Sequence, residues 1–587
     1  MSYCRSLYSY SRRNTREVTI GTPGKGGVII GGKHPIVIQS MLTCHTSDTE
    51  ACVQQTLELA KVGCQLVRLT TPTIKDAENL QHIVAKLRAQ NCDIPLVADI
   101  HFTPNAAYEA AKWVEKIRIN PGNFADGKRP DMQDCSDDEY QATLDKIEQK
   151  FAPLLDICKK LNRAIRIGSN HGSLSDRIMA RYGDTPMGMV ESALEYARIA
   201  RKYDFHNIVF SMKASSPKVT IEAYRLLAAR LEEEGSDWNY PFHLGVTEAG
   251  LGTDGRIKSA IGIGTLLGDG LGDTLRVSLS EDSVYEIPVC RDLLDSVSEI
   301  FPDRSSAPVK SIEPSWDPYS FSRQASSETN LTGSNISCGA LQPIRVFASS
   351  EQIKQADTAL LSQKKALFEA EYPSKQIIEV SPFGELPGNI PADALVTIAD
   401  GSQTPVVSAF RWLCSKMKSG GFANPILLKD TFTPQSASKQ PLLKSSAILG
   451  SLLCDGIGDA VLVRRDPDAT SSILTAWDIL QAAGTRSFKT EYISCPSCGR
   501  TLFNIQKVIA EISKRTSHLN SVKIGIMGCI VNGPGEMADA DFGYVGGAPG
   551  KITLYVGKQP VKKNIPTEEA VDTLIELIKE HGRWVDP

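Results

Sequence analysis

Ile94-Pro95-Leu96-Val97-Ala98-Asp99-Ile100-His101 is a short apolar run that ends in a carboxylate and an imidazole. Helix-compatible residues follow it, and the same unit recurs through the first half of the chain. Apolar runs cover 35–40, 65–70, 94–100, 115–120, 163–169, 207–214, 241–247 and 273–280. Amphipathic stretches lie between them at 49–62, 74–89, 143–161, 186–203 and 219–233. Short β-branched runs alternating with helical patterns predict βα units and a parallel sheet. Eight such units in about 270 residues predict a (β/α)8 TIM-type barrel. A doubly wound α/β sheet is the alternative on pattern alone.

The ends of the runs carry the chemistry. In order they present Gln39, Arg68, Asp99 with His101, Arg118 with Asn120, Arg166 with Asn170, Lys213, Thr247 with Glu248, and Arg276 with Ser278. Barrel active sites are assembled from such residues at the C-terminal mouth. A single arginine at a strand end is as readily a solvated or ion-paired side chain. Five cations on one rim repel one another unless an anion lies among them, and a guanidinium binds phosphate bidentately. The rim therefore predicts a small substrate with more than one phosphate. The glycine-rich stretches 245–255 and 262–272 are candidate phosphate cradles in the last loops, although neither matches a P-loop or Rossmann fingerprint.

After residue 301 the composition changes. Residues 302–337 are rich in Ser, Pro and Asn, which predicts a linker or surface excursion. The α/β alternation then resumes, with strands expected at 343–348, 394–398, 425–429 and 460–464 and helices at 351–370, 404–418 and 442–455. Cys338, Cys414 and Cys454 stand alone and read as small buried hydrophobes. With no motif of its own, this segment reads as a structural spacer.

Near the C-terminus lie Ser494-Cys495-Pro496-Ser497-Cys498-Gly499 and Gly528-Cys529-Ile530-Val531-Asn532-Gly533-Pro534-Gly535-Glu536. Each cysteine sits in a turn context, and the Asn-Gly-Pro-Gly turn can fold Glu536 back toward the sulfurs. The pattern predicts strands at 491–494 and 522–527, a hairpin region at 543–558, and helices at 501–516 and 567–581. A helix starting directly behind Cys495 and Cys498 favours thiolate or an anionic centre. Three readings stay open on these residues. A structural zinc site needs a fourth ligand, with His518 the nearby histidine, and a thioredoxin-like CxxC needs no third cysteine. An iron–sulfur centre with three thiolates and one oxygen ligand accounts for all four residues.

The 587-residue length predicts two to four domains. Hydrophobic content of 41% and charged content of 22% are those of a globular protein, and a net charge of −4 does not favour nucleic acid or an anionic membrane as partner. No apolar run approaches the roughly 20 residues of a membrane span. Fourteen scattered cysteines without an apolar leader predict reduced thiols and a cytoplasmic protein. Arg5, Arg12, Arg13 and Arg16 read as a basic lead-in to the first domain, with an organellar (plastid) transit peptide the weaker reading.

Several of these stretches together resemble the GcpE family. They are Val97-Ala98-Asp99-Ile100-His101-Phe102, Arg118-Ile119-Asn120-Pro121-Gly122-Asn123, Ile165-Arg166-Ile167-Gly168-Ser169-Asn170, Met212-Lys213-Ala214-Ser215, His243-Leu244-Gly245-Val246-Thr247-Glu248-Ala249-Gly250, Gly272-Asp273-Thr274-Leu275-Arg276-Val277-Ser278 and both cysteine stretches. The resemblance covers the barrel and the C-terminal module, and the intervening segment resembles the three-domain form of plants and some bacteria. It implies a TIM-barrel substrate domain at 1–301, a linker plus α/β insert at 302–485 and an α/β iron–sulfur domain at 486–587. It further implies one [4Fe–4S] cluster on Cys495, Cys498, Cys529 and Glu536. The implied reaction is two-electron reductive ring opening and dehydration of 2-C-methyl-D-erythritol 2,4-cyclodiphosphate, in the methylerythritol phosphate route to isoprenoids. Ferredoxin or flavodoxin would supply electrons. The substrate would meet Arg68, His101, Arg118, Arg166, Asn170, Lys213, Thr247, Arg276 and Ser278. Glu248 would act as proton donor, Asp99 would be a further catalytic residue in the same mouth, and Glu536 would give way to substrate. Two-domain relatives work as homodimers, so a homodimer is expected, although a spacer would let the cap come from the same chain. The alternatives are a zinc-dependent hydrolase or lyase acting on a phosphorylated small molecule, and a non-enzymatic redox or iron sensor.

Overall fold

The computed structural model describes residues 2–126, 135–302, 312–332, 334–433, 438–531 and 533–586. Part of the expected linker (303–311) and Asn532 of the expected turn lie outside the described residues. The eight expected barrel strands are all present: β1 Val37–Met41, β2 Leu66–Thr70, β3 Leu96–Ile100, β4 Lys116–Ile119, β5 Ala164–Asn170, β6 Ile208–Lys213, β7 His243–Leu244 and β8 Thr274–Leu275. They pair in parallel in the order β6-β5-β4-β3-β2-β1-β8-β7, and a parallel bridge from Phe210 to Phe242 joins the two ends. The sheet is thus a closed barrel, as the pattern predicts. Helices such as Thr49–Lys61, Ile74–Ala89 and Pro186–Lys202 follow the strands, capped by Asp48, Thr73 and Thr185.

A hairpin of Val18–Ile20 and Val28–Ile30 stops the lower end of the barrel. Its Val18, Ile20 and Ile30 pack on Val37, Leu66, Val97, Ala164 and Val209, all fully or nearly fully buried. The basic lead-in belongs to this plug. Arg12 pairs with Asp273 at 3.2 Å, and Arg13 lies over the Phe242 ring at 4.7 Å.

The middle segment departs from the expected spacer. The expected long helix at 351–370 is two short helices, Ser350–Gln355 and Thr358–Gln363, because the chain turns extended at Ala356 and Asp357 caps the second helix. Six strands form here: β9 Arg345–Ala348, β10 Ala370–Glu371, β11 Ile377–Val380, β12 Leu395–Ile398, β13 Leu427–Lys429 and β14 Ala460–Leu462. All their pairings are parallel, and a bridge from Val396 to Ile426 carries the sheet from β12 to β13. Here too a hairpin, Thr329–Asn330 with Ser337–Cys338, supplies buried residues beneath the strands.

The plan is that of the barrel with two strands fewer, and the sequence repeats with it. Leu267-Gly268-Asp269-Gly270-Leu271-Gly272-Asp273 matches Leu453-Cys454-Asp455-Gly456-Ile457-Gly458-Asp459, and Ala223-Tyr224-Arg225 matches Ala409-Phe410-Arg411. Asp273 accepts from Phe242 N–H at 2.9 Å, and Asp459 accepts from Ile426 N–H at the same distance. The two units meet along helices Gly252–Gly268 and Pro441–Cys454. Thr265 and Ser451, equivalent residues 186 positions apart, hydrogen-bond at 2.7 Å. Gly264 packs on Ala447 and Gly450 on Ile261, a reciprocal pattern that defines a pseudo-twofold contact. At one end of that contact Arg225 and Arg411 each bind both Asp269 and Asp455, at 2.7–2.8 Å, and all four side chains are buried.

The C-terminal module is a five-stranded sheet, β15 Glu491–Ser494, β16 Lys523–Met527, β17 Phe542–Ala548, β18 Lys551–Val556 and β19 Gln559–Pro566, in sequential order. Helices Ile505–Thr516 and Ala570–Glu580 pack on one face and bury Ile509, Ile512, Leu574 and Ile578. Among the described residues no helix is long and apolar enough to cross a membrane.

Candidate active site

The barrel strands deliver their last residues to one cavity. Its floor is Arg68, Asp99, His101, Arg118, Arg166, Asn170, Lys213, Thr247, Glu248, Arg276 and Ser278, and its roof is Cys495, Cys498, Arg500, Cys529 and Glu536 of the C-terminal module. Every residue that the resemblance assigns to substrate, cluster or catalysis lies on this one surface, whereas Gln39 and Asn120 of the strand ends do not line it.

Arg118 organises the floor. Its guanidinium donates to Asp99 at 2.8 Å, to His101 Nε2 at 2.6 Å, to the Gly168 carbonyl at 2.9 Å and to Asn170 Oδ1 at 3.0 Å. Because a guanidinium only donates, His101 Nε2 accepts and the ring is neutral. Burial and the nearby Arg500 push its pKa down to about 3. Burial alone would raise Asp99, but Arg118 and Arg68 hold its carboxyl well below the usual range.

The other cations are incompletely satisfied. Arg276 is paired to Glu286 at 2.8 and 2.9 Å. Among the described residues Arg68 donates only to the Met41 sulfur, at 2.8 and 3.1 Å, a weak acceptor. Arg166 Nε and Nη1 are buried without a partner, and no acceptor holds Lys213 among the described residues. Burial first and neighbouring cations next push Arg166 and Lys213 well below their ordinary pKa, and Arg68 down to about 10. The floor carries more positive than negative charge.

The roof has the opposite deficit. Burial, Glu248 and Cys498 push the Cys495 thiol up, and burial and Cys498 push up Cys529. Glu248, buried and facing Glu536, is raised well above the usual carboxylate range. Its backbone is left-handed, with φ of 51°, and its Oε1 accepts from Thr247 Oγ1 at 3.2 Å. Such a conformation costs a non-glycine residue about 1 kcal/mol or more and persists only where the surroundings dictate it.

The cysteine loops are tied to each other. Gly528 N–H donates to Cys495 Sγ at 3.2 Å, Leu502 N–H to the Gly528 carbonyl at 3.0 Å, and Cys498 N–H to Thr501 Oγ1 at 3.0 Å. The helix expected directly behind Cys498 starts only at Ile505, after the Asn504 cap. Its N-terminus therefore does not back the thiols, and loop N–H groups do so instead. His518 bonds the Val585 carbonyl at 2.7 Å and stacks on Trp584, so it is no fourth ligand.

The donor set fits an iron–sulfur centre. Three thiols and Glu536 surround a volume, whereas among the described residues no three Cys, His, Asp or Glu converge on a position for one ion. Half-buried thiols such as Cys495 and Cys529, raised in pKa, are ones that a cationic centre would ionise.

The module that caps the mouth belongs to the same chain as the barrel. Asn170 Nδ2 donates to Glu536 Oε1 at 2.5 Å. Ser280 Oγ meets Ser494 Oγ at 2.8 Å and the Cys495 carbonyl at 3.0 Å, while Lys258 pairs with Glu491 at 2.7 Å. Ala249 is bridged to Ser494, and Gly172 and Gly535 approach too closely to admit a β-carbon at either. Arg500, which the sequence reading did not single out, crosses the same seam to Asp99 Oδ2 at 3.2 Å and lies beside Cys498 and Cys529. Its signal was its position, one residue beyond the Cys-x-x-Cys-Gly turn.

Fold and site together define a barrel enzyme in which a cysteine-bearing cap closes a cation-lined mouth. Residues 15–291 match the GcpE TIM-barrel domain and residues 491–580 the GcpE protein C-terminal domain. A relative from Akkermansia muciniphila, 4-hydroxy-3-methylbut-2-en-1-yl diphosphate synthase (flavodoxin), is 53% identical over 100% of this chain and 99% of its own. One from Leptospira interrogans with the same description is 42% identical over 100% and 99%. The Arabidopsis thaliana relative, 4-hydroxy-3-methylbut-2-en-1-yl diphosphate synthase (ferredoxin), chloroplastic, is 42% identical over 100% of this chain and 89% of its own. The chain belongs to the GcpE family.

Proposed function

We propose that the chain reduces 2-C-methyl-D-erythritol 2,4-cyclodiphosphate to 4-hydroxy-3-methylbut-2-en-1-yl diphosphate, opening the ring and losing water in the isoprenoid route of its family. The observation that carries this reading is the pair of opposed charge deficits: cations that outnumber their anions on the floor, and the raised Cys495 and Cys529 thiols of the roof beside the raised carboxyl of Glu248. A cyclic diphosphate answers the first and an iron–sulfur centre the second. The alternative of a zinc hydrolase has no single-ion site to stand on among the described residues.

Cys495, Cys498, Cys529 and Glu536 would hold the centre, read here as one [4Fe–4S] cluster. When bound it supplies one-electron reduction and a Lewis-acidic iron. A carboxylate is a harder, more readily displaced ligand than a fourth thiolate. Glu536 already accepts from Asn170, so the barrel offers it a partner away from the sulfurs. Arg68, Arg166, Lys213 and Arg276 bind the phosphates, with Thr247, Ser278 and neutral His101 as hydrogen-bond partners. Asp99, ionised and held by Arg118 and Arg500, orients those cations and transfers no proton. Glu248, whose pKa burial and Glu536 raise, gives its proton to the departing hydroxyl. The closed cap excludes water.

We divide the chain into a substrate barrel, 1–301, an insert, 302–485, and a cluster module, 486–587. Electrons come from a flavodoxin- or ferredoxin-class donor. We read the protein as cytoplasmic. A homodimer is not needed to complete this site. Anaerobic turnover of the cyclodiphosphate with an artificial reductant tests the reading. Wild type should turn over with broad absorbance near roughly 400 nm. A colourless protein containing stoichiometric zinc would refute it.

A further inference from the structure

Cys44 and Cys52 lie outside the machinery described above. Cys44 follows β1 in the turn that leads to helix Thr49–Lys61, and Cys52 is fully buried on that helix. Their sulfurs are 3.4 Å apart, the one thiol pair within hydrogen-bonding reach among the described residues. Cys44 is partly exposed. The Cys52 thiol, in contact also with the His45 carbonyl at 3.4 Å, lowers the Cys44 pKa by hydrogen bonding. A partly exposed, activated thiol beside a buried second thiol is the arrangement of an attacking and a resolving cysteine.

The turn touches the active-site roof. Gly499, between Cys498 and Arg500, packs so tightly on the Cys44 carbonyl that a β-carbon there has no room. The same β-carbon would lie 2.6 Å from Thr70 Oγ1 at the end of β2. The backbone of Cys44 is thus part of the seat on which the Cys495–Cys498 loop rests.

We propose that Cys44 and Cys52 form a reversible dithiol–disulfide site that couples thiol redox state to the seating of the cysteine loop. The Cys44 thiolate attacks one sulfur of a low-molecular-weight disulfide, forming a mixed disulfide and releasing one thiolate. Cys52, losing its proton to solvent, attacks the Cys44 sulfur and releases the second. Two electrons pass from the cysteine pair to the disulfide, and the two released thiolates take up the two protons. The sulfurs must close from 3.4 Å to about 2.05 Å, drawing Cys44 toward the helix and away from Gly499.

Tryptic peptide 34–61 carries both cysteines and no other, so its thiol state is read directly. Anaerobic holoenzyme is treated with oxidised glutathione, alkylated and digested without reduction. The peptide should emerge two hydrogens lighter and unalkylated, whereas Cys52→Ser should instead carry glutathione on Cys44. Turnover, which rests on the activity proposed above, should fall by roughly tenfold or more, the scale of loss a displacement of about 1 Å brings. Reduced dithiothreitol should restore it, and Cys52→Ser should lack the disulfide-locked loss. A peptide with both cysteines alkylated overturns the site, whatever the enzyme's activity. A cross-linked peptide with unchanged turnover overturns the coupling.

Discussion

Glu248 is where backbone and chemistry meet. Burial and Glu536 raise its pKa, its left-handed φ aims it across the seam, and one of its oxygens is buried without a partner. Glu248→Gln keeps the shape and removes the acid, so kcat should fall about 10²- to 10⁴-fold with little change in substrate affinity, measured by anaerobic kinetics and direct binding. His101 gives a pH test. Its folded pKa of about 3 is depressed below the unfolded value of about 6.5, so only the unfolded chain takes up a proton between them. Wild type should lose more thermal stability than His101→Gln as pH falls through that window, read from the difference between their melting curves. Arg500 pairs with Asp99 and flanks two thiols, so Arg500→Met should loosen the cap and lower the centre's midpoint potential, while Arg500→Lys should recover part of both. Hydrogen exchange across 495–502 and a redox titration would show it. The strand-tip residues were legible because apolar periodicity fixes where a strand ends. Arg500 and the strain at Glu248 were not, since loop geometry has no period.

At the scale of elements, the barrel strands were read within a few residues because each is a short, apolar-rich run buried along its whole length. The middle segment was read less well. β10 is two residues long and β11 is only partly buried before its last residue, so neither carries a strong pattern. The repeat linking Asp269 to Asp455 and Arg225 to Arg411 rests on two short matches, 267–273 with 453–459 and 223–225 with 409–411, which strand and helix periodicity does not single out. Where β8 leads to Arg276, β14 has Leu462, and where β7 leads to Glu248, β13 leads to Phe432. The repeat keeps the scaffold and lacks the mouth chemistry. Its buried ion cluster balances two charges of each sign, so Asp455→Ala should leave an uncompensated buried guanidinium and cost about 3–5 kcal/mol, seen as a lower melting temperature.

For the whole molecule, the insert does more than set a distance. It presents to the barrel a pseudo-twofold partner of the barrel's own design, and the cluster module returns over the mouth of its own chain. That arrangement rests on the tertiary seam, through Asn170–Glu536, Arg500–Asp99, Lys258–Glu491 and the Ala249–Ser494 bridge, none of which a sequence pattern reveals. The central claim is one site built from one chain, half from the barrel and half from the cap. It is tested most directly by mixing Cys529→Ala, which spoils the cap, with Arg166→Met, which spoils the mouth, and measuring anaerobic turnover of the cyclodiphosphate. The account predicts that the mixture stays as inactive as either variant alone. Recovery of a substantial part of wild-type turnover would contradict it, because an intact cap would then be serving another chain's barrel.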